Sequence, residues 1–341
     1  MGNKLIPVVL GLSGGVDSAV TLGLLQMRGY RVTPVYLETG VSPDGVKDAE
    51  AVAKKFGVKL LVRDIRADLE AHVCAPFDAA YRAGRTPNPC ILCNPAVKIR
   101  ALIDCADELG IHWVSTGHYA RTIDGGLYQG MPSNDQSYML CRLLPEQVAR
   151  LVLPLGNYEK LGIRDLAGVY NIPVADKPDS MEICFIPDKD YAGWMERRAP
   201  LPGPGSFVLH GSIVGRHESI CRYTVGQRIP GLIDGRKVYV RRIDAKSNTI
   251  ELAFWEELFE TTVRAEDFNW IVPRPDGPFR AKVRVRHTKW ETPACTVYPE
   301  ADCVRIECDE PVRAPAPGQS AVLYSKDPLF GERVLGGGFI V

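Results

Sequence analysis

The sequence has no excess of charge and no apolar run long enough to cross a membrane. Its 341 residues carry 41 Lys and Arg against 41 Asp and Glu, so nucleic acid would have to be bound by a local patch rather than by an overall field. No segment approaches the ~20 apolar residues of a membrane span, and the first residues show no signal-peptide pattern. These absences argue against a membrane partner and predict a cytoplasmic protein.

A disulfide framework is not expected either. The ten cysteines are scattered over a long chain, which favours metal-binding, redox or nucleophilic roles for any that cluster. The length and a hydrophobic content of 45% are sufficient for about two or three globular domains.

Hydrophobic patterning divides the chain near residue 200. Before it, β-branched runs alternate with helical patterns from IPVVLGL to VKLLVRDI, and this βαβ series predicts an α/β domain with a parallel sheet. Three prolines and two glycines between Pro200 and Gly205 mark a linker. Beyond it, short alternating segments separated by turn residues indicate small antiparallel sheets or barrels.

The stretch VVLGLSGGVDSAV, residues 8–20, has the form of a phosphate-binding loop. A buried strand ends at Leu12, and Gly14 and Gly15 let the backbone approach an oxyanion closely. A helix beginning near Asp17 directs its free N–H groups at the ligand, and Asp17 suits a Mg²⁺ ion that bridges to the phosphates. The same string also fits a Gly-rich strand-to-helix turn in which Asp17 is only a cap.

The loop lacks the Gly-Lys-Ser/Thr ending whose lysine reaches a γ-phosphate. That absence suits an enzyme that splits ATP into AMP and pyrophosphate and activates an acceptor by adenylation. The residues predicted to bind ATP are Gly11, Leu12, Ser13, Gly14, Gly15, Val16, Asp17, Ser18, Leu37 and Gly117.

Two cysteines form a Cys-x-x-Cys in GRTPNPCILCNPAVKIR. Cys90 and Cys93 stand at the foot of a predicted helix, where a helix N-terminus lowers thiol pKa values and favours thiolates. Cys184, flanked by polar and turn-forming residues, is a third candidate, while the other seven cysteines lie in patterns typical of a core. The alternative is that Cys90 and Cys93 are also incidental. A closed zinc site is disfavoured because only one such pair exists.

Weaker signals indicate nucleotide and RNA contacts. Gly117 in STGHYAR follows a predicted strand at the edge where ligands of parallel sheets bind. The turn SNDQSYML carries Asn134, Asp135 and Gln136, which suit a base edge but equally an ordinary loop. In FRAKVRVRHTK, strand alternation places four basic residues on one face, where they contact tRNA or simply face solvent. They are Arg280, Lys282, Arg284 and Arg286.

In their order along the chain, these motifs resemble the tRNA-specific 2-thiouridylase family, and the resemblance covers nearly the whole sequence. GLSGGVDS is similar to its ATP-pyrophosphatase loop, GRTPNPCILCN to its nucleophile loop, TGHY to its nucleotide wall, NDQSYML to its tRNA-contacting turn and DSMEICFIP to its second cysteine loop. The resemblance implies an adenine nucleotide hydrolase-like ATP-pyrophosphatase domain over residues 1–198, a small central β-rich domain over 199–262 and a C-terminal β-barrel over 263–341.

The resemblance also implies an activity. ATP and Mg²⁺ would adenylate C2 of the wobble uridine of a tRNA, and sulfur would displace AMP. The sulfur would come from a cysteine desulfurase, a relay protein or free sulfide. The uridine must leave its stack to be reached, and Asn88 and Pro89 would line the flipped base. Cys184 would carry a persulfide, with Cys93 as its partner.

Three residues depart from the family's pattern. Cys90 replaces an aspartate thought to act in acid–base work, Asn134 replaces a lysine, and Val285 replaces an aromatic residue. Cys90 therefore introduces a second hypothesis: with Cys93 and Cys184 it forms a three-thiolate set for a [4Fe–4S] cluster that has one iron without a protein ligand. The conservative alternative keeps the persulfide on Cys184 and leaves Cys90 as a bystander.

Two other functions stay open on sequence alone. Another adenylating ATP pyrophosphatase, such as an amidotransferase-type synthetase or a tRNA lysidine synthetase, would share the phosphate loop but would not need the paired cysteine loops. A non-catalytic RNA-binding or sulfur-carrier protein would keep the fold, although the intact Ser13, Asp17 and Ser18 argue against it.

Overall fold

The computed structural model describes residues 5–42, 44–178, 183–287 and 292–341. Its first part contains strands β1 (Ile6–Gly11), β2 (Tyr30–Glu38), β3 (Leu61–Asp64), β4 (Trp113–Ser115), β5 (Ala120–Ile123), β6 (Gly126–Gln129) and β7 (Leu151–Val152). Five of them form a parallel sheet in the order β3-β2-β1-β4-β7, whereas β5 and β6 form a hairpin outside it. The predicted α/β domain with a parallel sheet is confirmed.

Helices connect and cover these strands. They are α1 (Val16–Met27), α2 (Gly45–Lys55), α3 (Arg66–Leu69), α4 (Ala75–Arg82), α5 (Pro89–Cys93), α6 (Ile99–Glu108), α7 (Pro145–Ala149), α8 (Lys160–Val169) and α9 (Tyr191–Arg198). Two π-helical turns interrupt the helical series: Glu70–Cys74 lies between α3 and α4, and Asn94–Lys98 joins α5 to α6.

The position of β1 determines where a ligand can bind. Val8, Val9 and Leu10 are fully buried, as expected for the central strand of a parallel sheet covered on both faces. Because β2 and β4 lie on opposite sides of β1, the chain reverses its direction of winding there. The crevice at the carboxyl ends of β1 and β4 is therefore the ligand site that the fold offers.

The central part is a four-stranded sheet of β8 (Gly205–Leu209), β9 (Ser212–His217), β10 (Tyr239–Asp244) and β11 (Thr249–Ala253). Two hairpins lie side by side in the order β10-β11-β8-β9, and β11 pairs with β8 in parallel. The sheet is thus mixed and not purely antiparallel. The alternating sequence pattern predicts the strands of each hairpin but does not determine how the two hairpins pair with each other. Its buried residues Val240 and Ile250 share a core with Phe77 and Tyr81 of the first part.

The last strands are β12 (Phe259–Trp270), β13 (Phe279–Arg284), β14 (Ala294–Pro299), β15 (Cys303–Arg313), β16 (Ser320–Asp327) and β17 (Gly331–Ile340). They run in the order β12-β15-β14-β13-β16-β17, and a β12–β17 pairing closes the barrel. The predicted C-terminal β-barrel is confirmed. The β5–β6 hairpin of the first domain pairs with strand β17 of the barrel through Tyr128 and Arg333, which fixes the barrel to that domain.

The remaining cysteines follow the core prediction, and all ten are free thiols. Cys303 is half-buried, and the other six outside the predicted site are buried: Cys74, Cys105, Cys141, Cys221, Cys295 and Cys308. Within the described ranges, no helix combines the length and apolar character that a bilayer crossing requires.

Candidate functional site

The predicted phosphate loop lies at the carboxyl end of β1. Two serine side chains shape it: the Ser18 hydroxyl donates to the Gly15 carbonyl at 3.0 Å and accepts from the Ser13 N–H at 3.2 Å. Gly14 has a φ of +76°, and a Cβ there would lie 2.8 Å from the Cβ of Asp48. Only glycine fits this position, so the loop packs closely against the start of α2.

Asp17, the predicted Mg²⁺ ligand, is bound by a lysine. The ammonium of Lys160, the first residue of α8, lies 2.7 Å from Oδ1 and 2.6 Å from Oδ2, and the Tyr119 hydroxyl donates to Oδ1 at 2.6 Å. A carboxylate beside phosphates suits Mg²⁺ chemically, but both of its oxygens contact the ammonium here. Binding of Mg²⁺ by Asp17 therefore requires Lys160 to move. Lys160 was missed in the sequence, because nothing in a helix start 143 residues away connects it to Asp17.

Gly117 stands where the nucleotide wall was predicted. A Cβ on Gly117 would lie 3.1 Å from the backbone nitrogen of Ser18 and 3.3 Å from the Cβ of Asp17. The loop after β4 thus packs directly on the first turn of α1, as the predicted shared ligand crevice requires. Leu37, the other predicted ATP residue outside the phosphate loop, is half-buried near the carboxyl end of β2.

His118 continues this wall toward the cysteines. Its Nδ1 is 2.7 Å from Oγ1 of Thr116. Burial, helped by the positive charge of Lys98, lowers the pKa of His118 to about 3, so the imidazole is neutral at physiological pH.

A second lysine–carboxylate pair lies beside the phosphate loop. The Lys177 ammonium is 2.5 Å from Oδ2 of Asp48, and Asp48 packs against Gly14 of the phosphate loop. Lys177 begins the segment that leads to Cys184. Residues 179–182, part of the predicted second cysteine loop, lie outside the described residues.

Cys90, Cys93 and Cys184 line one pocket, which we call the thiol pocket. Its other lining residues are Val73, Pro89, Lys98, Ile183 and Phe185. Cys90 and Cys184 are exposed, whereas Cys93 is buried. Asn88 caps α5 by accepting the Cys90 N–H at 3.2 Å, so the predicted base-lining pair Asn88 and Pro89 stands at the edge of the pocket.

The two thiols of α5 are less acidic than their place at a helix N-terminus predicts. Burial raises the pKa of Cys93 to about 11 and also raises that of Cys90, while the positive charge of Lys98 opposes both shifts. The prediction of lowered pKa values is wrong because desolvation exceeds the favourable charge effect.

Lys98 is the cation of the thiol pocket, and it was also missed in the sequence. Three cysteines raise the pKa of its ammonium in spite of desolvation. Lys98 is five positions after Cys93, and in a regular α-helix this spacing would turn the two side chains about 140° apart. The π-helical turn Asn94–Lys98 widens the helix by one residue and brings Lys98 back to the cysteine side.

The donor set for a metal is not assembled. In residues 5–42, 44–178, 183–287 and 292–341, no three His, Cys, Asp or Glu side chains form a group that could hold a metal ion. The three thiols line one pocket, but they are not positioned as ligands of one centre.

The predicted tRNA-contacting turn is held by internal hydrogen bonds. Asn134 donates to the Tyr158 carbonyl at 3.3 Å, and the Gln136 side-chain oxygen accepts the Tyr119 N–H at 3.0 Å. Asp135 is buried, so it is not available to read a base edge. Asn134 and Gln136 are half-buried and keep some accessible surface.

The predicted basic face of β13 is neutralised from within the protein. Arg284 pairs with the buried Asp135 at 2.9 Å, and its side chain is 13% exposed. Arg286 donates to the carbonyls of Val225 and Ala314. Arg280 and Lys282 pair with Asp309 and Glu332. An arginine buried against a carboxylate cannot bind a phosphate without breaking that pair, so Arg284 has an internal contact, as Arg286 has with its two carbonyls. The side chains of Arg280 and Lys282 are 58% and 42% exposed, as the alternation predicts.

Family comparisons cover the chain in three consecutive parts. Residues 6–188 match the family described as "tRNA methyl transferase HUP domain", residues 198–253 match "tRNA methyl transferase PRC-barrel domain", and residues 260–340 match "Aminomethyltransferase beta-barrel domain".

Whole-length relatives carry a more specific description. The chain is 38% identical to the tRNA-specific 2-thiouridylase of Syntrophotalea carbinolica, with 98% of each chain covered. It is 36% identical to that of Fervidobacterium nodosum over 95% of this chain and 97% of the relative. It is 39% identical to that of Salinibacter ruber over 98% and 94%. Because identity at this level extends from the phosphate loop to the barrel, the chain belongs to the tRNA-specific 2-thiouridylase family.

Proposed function

We propose that the protein is a tRNA 2-thiouridine synthase, a tRNA-uridine 2-sulfurtransferase that uses ATP to replace the C2 oxygen of the wobble uridine with sulfur. The observation that carries the proposal is the meeting of two sites. Gly117 packs on the phosphate loop, and its neighbour His118 lies within electrostatic range of Lys98 in the thiol pocket. A base activated at the loop would thus meet sulfur held in the pocket.

The chemistry follows from the poor leaving ability of the uracil C2 oxygen. That oxygen attacks the α-phosphorus of ATP, pyrophosphate leaves, and sulfur then displaces AMP, which retains the original C2 oxygen. Ser13, Ser18 and the backbone N–H groups of the loop bind the phosphates. Asp17 would hold Mg²⁺, which would add further neutralisation of the phosphate charge. Lys160, once displaced from Asp17, supplies the positive charge that a loop lysine provides elsewhere.

The base site is assigned to the start of α5. Asn88 is held by the Cys90 N–H and donates from Nδ2 to the Met139 sulfur at 3.4 Å. Together with Pro89 it forms a fixed edge beside the thiols, which suits a flipped uridine. We assign Asn134 and Gln136 to the surface of the protein that binds tRNA. We do not assign Asp135, Arg284 and Arg286 to it, because their side chains have partners inside the protein.

Two modes of sulfur delivery are proposed for separate testing. In the first, Cys184 carries a persulfide, its terminal sulfur bonds to C2 as AMP leaves, and Cys93 then releases 2-thiouridine by forming a disulfide with Cys184. An external thiol reductant must reset that disulfide. In the second, the three thiols hold a [4Fe–4S] cluster. The three thiols share one pocket, but they would have to move closer together to hold the cluster.

Sulfur is supplied by a cysteine desulfurase, a relay protein or free sulfide, and we place the reaction in the cytoplasm, where ATP and tRNA are present. An adenylating enzyme that delivers nitrogen shares the phosphate loop but has no use for a pocket with three thiols and a lysine. The geometry therefore favours sulfur transfer over that alternative.

The proposal is tested with purified protein, unmodified tRNA, ATP and either sulfide or a persulfide donor. We expect 2-thiouridine at the wobble position by mass spectrometry, together with AMP and pyrophosphate that depend on tRNA. Asp17→Asn is expected to abolish the product and leave tRNA affinity unchanged. ADP as the nucleotide product, or an unmodified wobble uridine with both sulfur sources, would overturn the assignment.

Iron and sulfide analysis after anaerobic purification decides between the two delivery modes. About four iron atoms per chain, lost in a Cys90→Ser variant, would support the cluster. Iron-free protein that is fully active with a persulfide donor would exclude the cluster mode. A Cys90→Asp variant with wild-type activity would exclude it as well, and the persulfide mode would then be the one supported.

A further inference from the structure

Lys98 is a charged residue with no role in the reaction proposed above. It lines the thiol pocket beside Val73, Ile183 and Phe185, which form an apolar wall. In the described part of the chain, no carboxylate forms an ion pair with the Lys98 ammonium. The groups that raise its pKa are the thiols of Cys90, Cys93 and Cys184. Its cation therefore lies among sulfur atoms and not among acids.

A lysine in such a place has an energetic consequence. Withdrawing an ammonium group from water is unfavourable unless a negative group offsets it. Among the described residues, those that line the pocket with Lys98 include no carboxylate, so none of them offers its ammonium group a fixed anionic partner. Within the described residues, the pocket thus has a positive charge without a paired carboxylate, which is the condition for binding an anionic ligand.

The lining of the pocket defines the ligand further. Three sulfur side chains and an apolar wall favour a small, polarisable anion over a hydrated oxyanion. The phosphate loop, which provides backbone N–H groups and serine hydroxyls, is the site for oxyanions. The two neighbouring sites are thus suited to different anions.

We propose that Lys98 binds the anionic sulfur that is to be transferred, either hydrosulfide or the terminal sulfur of a cysteine persulfide, and holds it in the thiol pocket facing the activated base. This inference rests on the proposed function for the identity of the anion. No bond is made or broken by Lys98, which keeps its proton throughout. Its contribution is to retain the sulfur and to direct it.

The test compares Lys98→Met, which keeps the length of the side chain and removes the charge, with Lys98→Arg, which keeps the charge. Lys55→Met, at the exposed end of α2, is the matched control for loss of a lysine. With sulfide as the sulfur source, we expect Lys98→Met to raise the KM for sulfide by about 10- to 100-fold, the usual effect of losing one charged hydrogen bond. We expect Lys98→Arg to recover most of that loss and Lys55→Met to match the wild type.

A purely structural role for Lys98 would change every step, so the earlier step is measured separately. Pyrophosphate release in a single turnover, with tRNA and ATP but no sulfur source, reports adenylation alone. We expect the same rate in the wild type and in Lys98→Met. A parallel loss of adenylation and of thermal stability in both Lys98 variants would overturn the sulfur-binding role.

Sulfur binding by Lys98 is also measured directly, in the absence of tRNA. Each protein is incubated with sulfide or with a persulfide donor and desalted, and the sulfur that remains bound is assayed. A defect of Lys98→Met in the sulfide arm alone identifies hydrosulfide as the ligand, and a defect in the persulfide arm alone identifies the persulfide. Equal retention by all proteins in both arms, with an unchanged KM, would reject the inference. If Lys98→Met retains less sulfur than the wild type, as expected, but the wild type forms no 2-thiouridine, the proposed function is rejected instead.

Discussion

The ammonium of Lys160 contacts both carboxylate oxygens of Asp17, at 2.7 and 2.6 Å. Asp17 is in the first turn of α1, and Lys160 is the first residue of α8. The pair is partly exposed, with 29% of each side chain accessible, so a ligand can reach it. The pair thus holds a cation and a carboxylate beside the phosphate loop.

The first prediction concerns Lys160→Met. If the displaced ammonium contacts the phosphates of ATP, its removal should raise the KM for ATP by about tenfold, as expected for one charged contact. Affinity for tRNA should stay unchanged, which filter binding would measure. An unaltered KM for ATP would mean that Lys160 serves only to neutralise Asp17.

Local sequence patterns predicted the parts of this site that one segment contains. The run VVLGLSGGVDSAV specifies its own strand, glycine turn and helix, and these elements form where the sequence predicts them. The phosphate-binding roles of Gly14 and Ser18 stay predictions. The alternating segments after residue 200 likewise specified strands. Side-chain periodicity is a local property, and these elements form wherever the pattern is consistent.

Contacts between distant segments were not predictable in the same way. Lys160 and Lys177 reach their carboxylates across 143 and 129 residues, and no spacing records that. Lys98 was missed because the π-helical turn changes the direction of its side chain. The alternation of β13 correctly aligned its basic residues but could not show that Asp135, from another domain, would pair with Arg284.

A second prediction uses the close approach of Gly117 to the phosphate loop. The added Cβ of Gly117→Ala would lie 3.1 Å from the Ser18 nitrogen, so the first turn of α1 must shift by a few tenths of an ångström. We expect a higher KM for ATP with little change in melting temperature. Gly162→Ala, in α8 with open space around it, is the control. It should stabilise the protein by about 0.5–1 kcal/mol. Equal kinetics for the two variants would place the nucleotide elsewhere.

A third prediction separates structural from RNA-binding arginines. Arg284→Met leaves Asp135 buried without its partner, and removing one member of a buried pair costs about 3–5 kcal/mol. Arg280→Met removes an exposed pair with Asp309, which is worth about 0–1 kcal/mol. Denaturant unfolding of both variants measures the difference.

The salt dependence of tRNA binding provides the second measurement for Arg284. Removal of one protein–phosphate interaction should reduce the slope of log affinity against log salt by about one. We expect the folded Arg284→Met protein to keep the wild-type slope. A slope reduced by about one would restore Arg284 to the tRNA interface and contradict the structural role.

The last prediction concerns acid stability and His118. Burial lowers the pKa of His118 to about 3 from its usual 6.5, so between these values the unfolded chain binds a proton that the folded protein does not. Stability must then fall as the pH drops below about 6.5, with a contribution from this group of up to about 1.4 kcal/mol per pH unit. His118→Gln removes that contribution and should flatten the plot of unfolding free energy against pH between about 6 and 4. The exposed His112→Gln is the control and should leave the slope unchanged. Equal slopes for His118→Gln and the wild type would show that the imidazole is protonated in the folded protein, in which case a second positive charge would lie beside Lys98.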